Sequence, residues 1–425
     1  MTHINRRAFI KLAGSATALA AAGFPQLSFG ATKKVVVVGG GIGGTTVAKY
    51  IRRADPGVEV TLIEPNKNYF TCFMSNEVLA GERDIDSIKF GYEGAASRGI
   101  KVVHDTVTAI DAASRTVTTA GGNKFPYDRC VVAPGVDFKW EAIEGYGAEV
   151  AETIPHAWKA GPQTTTLRKQ LLDMKDGGTV IIAPPPNPFR CPPGPYERAS
   201  QIAHYLKQHK PKSKILILDA KDKFSKQGLF TAGWEKYYPG MIEWVSAANG
   251  GKVEALNVAT RTLTATVDKF KGDVINIIPP QKAGKIAFAA DLVDESGWCP
   301  VDQKTFESTR HPNIHVIGDA SVASPMPKSG YAANSEAKVC AAAVVALLND
   351  LPLPQPSYVN TCYSLITPED GISVAAVYRL GDDGKIAAVK GAGGLTPADA
   401  SAEMRRREVA YAHSWFNNIT HDVFG

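Results

Sequence analysis

The chain has 425 residues, 44% hydrophobic and 21% charged, with a formal net charge of +5. That length predicts two or three domains at roughly 150 residues each, with apolar side chains enough for a sizeable core, and it argues against disorder.

Residues 1–30 read as an export signal. Arg6 and Arg7 stand side by side in Asn5–Lys11, and a short stretch of small and apolar residues, Leu12–Gly23, follows. That stretch is too short to span a bilayer. Ser28 and Gly30 put small residues where signal peptidase reads them, which predicts cleavage after Gly30. A twin-arginine signal marks a protein exported already folded, the route needed when a cofactor must be inserted first. The mature chain is therefore expected in the periplasm, an oxidising compartment where disulfides persist. Loss of Arg6, Arg7 and Lys11, and of no acid, lowers the formal charge from +5 to +2. A charge that small gives no electrostatic case for nucleic acid. No later segment is expected to have the length and apolarity to span a membrane.

The mature sequence opens on a buried strand, Val35–Val38, that runs into Gly39, Gly41 and Gly44 in G-x-G-x-x-G spacing. The first glycine permits the tight turn, the second lets backbone approach a pyrophosphate, and the third lets the following helix pack on the strand. A second strand, Val58–Glu64, ends in an acid about twenty residues on, and Glu64 is expected to accept hydrogen bonds from an adenosine ribose. Two later strands, in Tyr127–Val136 and His311–Ala320, end in an Ala-Pro-Gly turn and in Gly318-Asp319. In two-dinucleotide-domain flavoproteins a carboxylate placed like Asp319 binds the ribitol of FAD. The cofactor is therefore read as FAD, in a discontinuous domain of residues 31–150 and 291–348.

Residues 151–290 repeat the plan. A strand, Thr179–Ala183, precedes a helix expected from about Tyr196 and a strand over Lys214–Ala220. The turn between strand and helix carries Pro184–Pro186, Pro188, Pro192, Pro193 and Pro195 where a nucleotide-binding unit carries glycines. Proline has no amide hydrogen and cannot line a phosphate cradle. This unit is read as NAD-binding-like in shape but without nucleotide, so that electrons come from something other than NAD(P)H. A Pro-rich linker, Leu351–Pro356, then marks a small C-terminal domain, residues 349–425.

The six cysteines include no C-x-x-C pair, which argues against a zinc or iron–sulfur site, and no C-x-x-C-H, so haem is not attached to this chain. Cys130, inside an apolar strand, and Cys340, in an alanine-rich helix, read as core residues, and Cys299 as structural. Cys72 differs. It lies eight residues after Glu64, where the chain can run along the cofactor towards the flavin's dimethylbenzene edge. Cys191 sits within the proline turn, with Glu197 at the start of the helix after it. Cys362 is expected at the start of a strand. How these cysteines pair is not derivable from their spacing.

At these residues the chain resembles the flavoprotein subunit of flavocytochrome c sulfide dehydrogenase, end to end. The resemblance is carried by Asn68–Cys72, Asn187–Ser200, Gly297–Asp302, His315–Ala320, Met326–Lys338 and Asn360–Leu365. It implies an α/β, glutathione-reductase-like fold of two dinucleotide domains with a small C-terminal α+β interface domain. It implies FAD bound covalently through Cys72, a redox-active disulfide of Cys191 and Cys362, and Glu197 as proton acceptor, with Tyr331 and Trp415 as aromatics near the flavin. It also implies sulfide as substrate and a cytochrome c subunit as partner, haem c residing on that partner only. Two alternatives stand beside it, a sulfide:quinone oxidoreductase and a non-catalytic exported flavoprotein scaffold. Charges interrupt the apolar positions of the last segment, Ser401–Gly425, which fits a packed or solvated helix better than a membrane anchor.

Overall fold

The structure, a computed structural model, describes residues 32–425. The export signal expected over residues 1–30 lies outside the described residues. Strand β1 (Lys34–Val38) is a valine run buried along almost its whole length. Such an unbroken apolar run suits a parallel strand covered on both faces by helices. It turns into helix α1 (Ile42–Ala54) and returns as β2 (Glu59–Ile63), parallel to β1. A short helix, α2 (Ser75–Ala80), leads to β3 (Lys101–Val103). An antiparallel meander, Val107–Asp111, Thr116–Thr119 and Lys124–Pro126, precedes β4 (Arg129–Val132).

The second unit repeats this order. Strand β5 (Thr179–Ala183), helix α3 (Gly194–His209), strand β6 (Lys214–Leu218), helix α4 (Gln227–Tyr237) and strand β7 (Ile242–Val245) follow one another. A second meander, Val253–Asn257, Thr262–Ala265 and Lys269–Lys271, leads to β8 (Val274–Ile277). These strands form a four-stranded parallel sheet in the order β7-β6-β5-β8. Helix α3 starts two residues earlier than the sequence predicts, with Pro195 in its first turn, where a missing amide hydrogen leaves no intrahelical bond unmade.

The chain then re-enters the first unit as β9 (Ile314–Val316), completing a five-stranded parallel sheet in the order β9-β4-β1-β2-β3. A two-stranded antiparallel ribbon of Val136–Phe138 with Gln281–Ala283 joins the units where the chain passes between them. Helix α5 (Gly330–Leu348) packs along α1. It corrects the expectation about membrane segments, because it is long and apolar enough to cross one, with a mean hydropathy of 1.2. Its buried Glu336, bonded to the Gly318 amide, and its buried Asn334 instead fit a core helix.

The C-terminal unit is an antiparallel sheet of β10 (Ser357–Thr367), β11 (Asp370–Leu380) and β12 (Ile386–Leu395), against which helix α6 (Ala402–Phe424) packs. Cys362 lies in the middle of β10 and not at its start. The backbone is already extended from Ser357, right after the linker, and this carries the cysteine inward to face the other units.

Candidate active site

The turn after β1 is built to leave backbone bare. Gly39 has φ +98°, and a Cβ there would stand 2.4 Å from the Ala133 carbonyl oxygen. At Gly44 a Cβ would stand 1.8 Å from the Gly39 carbonyl oxygen, so Gly44 serves helix–strand contact and does not line the groove. Helix α1 has Gly41 at its N-cap and no side-chain cap. Its first-turn amides remain available to an anion.

This turn opens on a groove of about 590 Å³, lined by Gly39, Gly41, Glu64, Cys72, Gly318 and Asp319 among others, a volume suited to a cofactor. Glu64 accepts from the Gly40 amide at 2.8 Å and from the Asn66 amide at 2.9 Å, which fixes its carboxylate at the groove's edge. Three buried polar atoms on the groove walls have no partner: Asp319 Oδ1, the Tyr92 hydroxyl and Arg190 Nε. Buried polar groups are almost always satisfied, so orphans gathered on one groove mark where a polar ligand bonds. Bare amides for a pyrophosphate, an edge carboxylate for a ribose and a buried acid for a ribitol fit FAD. Burial pushes the Asp319 carboxyl up, and Arg190 and Lys328 oppose it.

A second cavity adjoins the first. It is lined by Cys72, Cys191, Glu197, Tyr331, Cys362 and Trp415, with Trp158, Asn76 and Arg198 among the other residues of its wall. Cys72, Arg190 and Gly330 line both spaces. Cys72 thus stands at the junction of the two spaces. The rings of Tyr331 and Trp415 stack with centroids 5.7 Å apart and planes 8° from parallel.

The proline turn delivers Cys191 to this cavity. Cys191 has φ +57°, a left-handed conformation that is strained for a residue with a Cβ. Its amide donates to the Lys328 carbonyl at 2.8 Å, and its carbonyl accepts from the Gly194 amide at 2.9 Å, so the surrounding backbone holds that conformation. Burial pushes the Cys191 thiol well above its ordinary value, and Cys362, Cys72 and Glu197 push it the same way. All six cysteines are unbonded thiols here, so the Cys191–Cys362 disulfide expected by resemblance is not formed in this structure. What the fold brings together is the two thiols on one cavity wall. Cys130, Cys299 and Cys340 are fully buried elsewhere in the core.

Glu197 lies in the first turn of α3 and reaches across to the other units. Its Oε1 accepts from the Leu365 amide at 2.9 Å and its Oε2 from Asn76 Nδ2 at 3.0 Å. Burial raises its carboxyl above the usual range, against the pull of those two bonds and of Lys226. A carboxyl raised in this way holds a proton more readily than an exposed carboxylate does, which suits a proton acceptor. The sequence reading missed Asn76, Arg190, Arg198 and Lys226. Arg190 was adjacent to a chosen residue in the proline turn. Arg198 likewise follows Glu197 directly, whereas Asn76 and Lys226 carry no local signal, because the site groups they bond lie more than a hundred residues away along the chain.

In the second unit the equivalent place is filled. Asp219, directly after β6, is fully buried. It accepts from the Tyr196 hydroxyl, from Trp244 Nε1 at 2.9 Å and from Lys221 Nζ at 2.6 Å. Phe224 stacks on Tyr196 with ring centroids 3.7 Å apart.

Fold and site together define a two-dinucleotide-domain flavoprotein of the disulfide-oxidoreductase kind, with FAD in its first unit. The pyridine nucleotide-disulphide oxidoreductase family matches residues 33–173. The chain belongs to the flavocytochrome c sulfide dehydrogenase flavoprotein family. The central domain of that flavoprotein chain matches residues 164–279 and its flavin-binding domain residues 354–424. The sulfide dehydrogenase [flavocytochrome c] flavoprotein chain of Chlorobaculum thiosulfatiphilum is 57% identical over 47 residues, 11% of this chain and 98% of that one. The mitochondrial sulfide:quinone oxidoreductase of Mus musculus is 21% identical over 316 residues, a match that covers 68% of this chain and 65% of that protein's length. Among solved structures, the sulfide:quinone oxidoreductase of Aquifex aeolicus superposes with a TM-score of 0.71 at 18% identity, covering 92% of both chains.

Proposed function

We propose that this protein oxidises sulfide at the Cys191–Cys362 pair and passes the electrons through FAD to a c-type cytochrome subunit. The observation that carries this reading is that both thiols and Glu197 line one cavity, which shares the wall of Cys72, Arg190 and Gly330 with the flavin groove. In the oxidised state hydrosulfide attacks one sulfur of the disulfide. The Cys191–Cys362 bond breaks, a new sulfur–sulfur bond forms to the incoming atom, and the other cysteine leaves as thiolate with the electron pair. Glu197 accepts the proton that the sulfide gives up. FAD supplies an acceptor of electron pairs that can release electrons singly. Gly39, Gly41, Glu64 and Asp319 would hold its adenosine, pyrophosphate and ribitol.

Cys72, on the wall common to both spaces, is the residue for a thioether to the flavin 8α carbon. An exported enzyme could not easily replace a lost cofactor, which suits a covalent link. NAD(P)H is not the donor in this reading, because the proline turn lacks amides for a pyrophosphate and Asp219 is taken up by three side-chain donors and the Lys221 amide. The signal at residues 1–30 directs the folded protein to the periplasm, where the cytochrome subunit carries haem c.

Anaerobic sulfide is expected to bleach the flavin of the purified protein, and a co-purifying c-type cytochrome to be reduced in turn. Reduction of a quinone with no reduction of cytochrome c would replace the proposed acceptor. Acid precipitation is expected to keep the yellow colour with the polypeptide, and Cys72→Ser to release it; free FAD from the parent protein would refute the thioether.

A further inference from the structure

Lys226, only 5% exposed, takes no part in the reaction described above. It precedes α4 at φ +61°, a left-handed conformation held against the preference of a residue with a Cβ. Its Nζ donates to the Cys362 carbonyl oxygen at 2.8 Å, to Ser364 Oγ at 2.8 Å and to the Ile372 carbonyl oxygen at 3.4 Å. All three acceptors are neutral. A buried ammonium answered only by dipoles costs stability unless an anion forms beside it. The titratable groups around it are Cys362 on β10, Glu197 on α3, Cys191 in the proline turn and Glu408 on α6, with Cys362 the strongest influence. Burial draws Lys226 down to about 8, and these four groups oppose that. Conversely, burial raises the Cys362 thiol, and Lys226 is the largest influence holding it down. At Cys191 the only opposing charge, that of Arg190, is the weakest of the influences on it.

We propose that Lys226 is a positioning residue whose ammonium holds the sulfur of Cys362 in anionic form once the Cys191–Cys362 pair is opened. The proposal rests on the reading of that pair as the sulfide acceptor. Attack at Cys191 leaves Cys362 as a thiolate, and attack at Cys362 leaves it carrying a persulfide anion. In the first case the electron pair of the broken bond rests on Cys362; in the second it rests on Cys191, and the charge beside Lys226 is that of the persulfide whose proton has gone to Glu197, so that in neither case does Cys362 take a proton. Glu197 is then free to take the proton from sulfide.

The test follows alkylation of the two cysteines separately. The flavin-loaded protein is reduced with dithiothreitol, and iodoacetamide labelling of Cys191 and Cys362 is followed by peptide mass spectrometry across the thiol range, about pH 5 to 10. In Lys226→Met the Cys362 titration is expected to move up by about one unit or more, so that labelling near neutral pH slows about tenfold. Cys191 should move less, Lys226→Arg should restore most of the parent profile, and the melting temperature of Lys226→Met should equal or exceed that of the parent. An unmoved Cys362 titration in folded, flavin-loaded Lys226→Met, or an equal shift at both cysteines, overturns the proposal. If Lys226→Met does not retain flavin, the same two outcomes are read in Lys226→Gln. Failure of sulfide to bleach the parent's flavin would sink the disulfide reading while the labelling comparison still measured the effect of Lys226.

Discussion

The two nucleotide-type units are made of the same parts in the same order: a buried parallel strand, a turn, a helix, a second strand followed by an acid, and a meander before a further parallel strand. In the first, the turn is glycine and the acid, Glu64, stands at the edge of an open groove. In the second, the turn is proline and the acid, Asp219, is sealed beneath Tyr196, Trp244 and Lys221. In the second unit, then, prolines stand where glycines stand in the first, and side chains of the unit itself satisfy the Asp219 carboxylate. Cys191 occupies the turn in a left-handed conformation that the surrounding backbone holds in place.

The largest expected effect breaks the comparison at its centre. Cys191→Ser or Cys362→Ser should lower sulfide turnover by about 10³-fold or more while flavin stays bound, since removing one member of a catalytic group removes the group's function. If the pair were only a staple between units, the substitution would cost roughly 2–4 kcal/mol of stability and leave turnover per folded molecule intact. Turnover and melting temperature measured on the same variants decide.

Next in size is Glu197. Its raised carboxyl predicts that turnover falls as pH drops through that raised value, as the proton acceptor is lost. Glu197→Gln should slow turnover by about 10²–10⁴-fold and flatten that acid limb. Stability runs the other way. Because the folded value lies above the unfolded one, the contribution of protonated Glu197 is whole below the ordinary carboxylate range and is lost as pH rises through the raised value. Glu197→Gln should remove that dependence, read as melting temperature against pH.

A smaller effect sets the acids of the two units side by side. Asp319→Asn should weaken flavin retention, measured by absorbance after gel filtration, with melting temperature compared in the loaded fraction. Asp219→Ala strands the buried Lys221 ammonium and should cost about 3–5 kcal/mol of stability while the remaining folded protein keeps flavin and sulfide turnover. Flavin loss in Asp219→Ala alone would mean that the second unit still takes part in cofactor binding. The smallest expected effect is none. Anaerobic NADH should leave the oxidised flavin spectrum unchanged, and rapid bleaching would show that the proline turn still admits a nicotinamide.

Much of this was legible in the chain itself, wherever function rests on local backbone chemistry. G-x-G-x-x-G after a valine run, acids at strand ends and a run of prolines lacking amide hydrogens each act within a few residues, so their spacing in sequence is their spacing in space. The structure places Glu64, Cys72 and Asp319 on the groove and Cys191 on the cavity beside it. Legibility weakened at Cys362, expected at the start of a strand and found in its middle, because linker composition does not say where hydrogen bonding to β11 begins. It failed at α5, whose apolarity marks the core of the first unit.

The sequence by itself determined two nucleotide-type units, one with glycines in the turn after its first strand and one with prolines there, because turn chemistry is a local property. Only the tertiary structure decided that Cys191, Cys362 and Glu197 share one cavity, that Asn76 and Leu365 hold the Glu197 carboxylate, and that Lys226 stands behind Cys362. Those contacts join residues more than a hundred positions apart, and burial, which sets the protonation of the carboxyl and the thiols, exists only once the units have closed on one another.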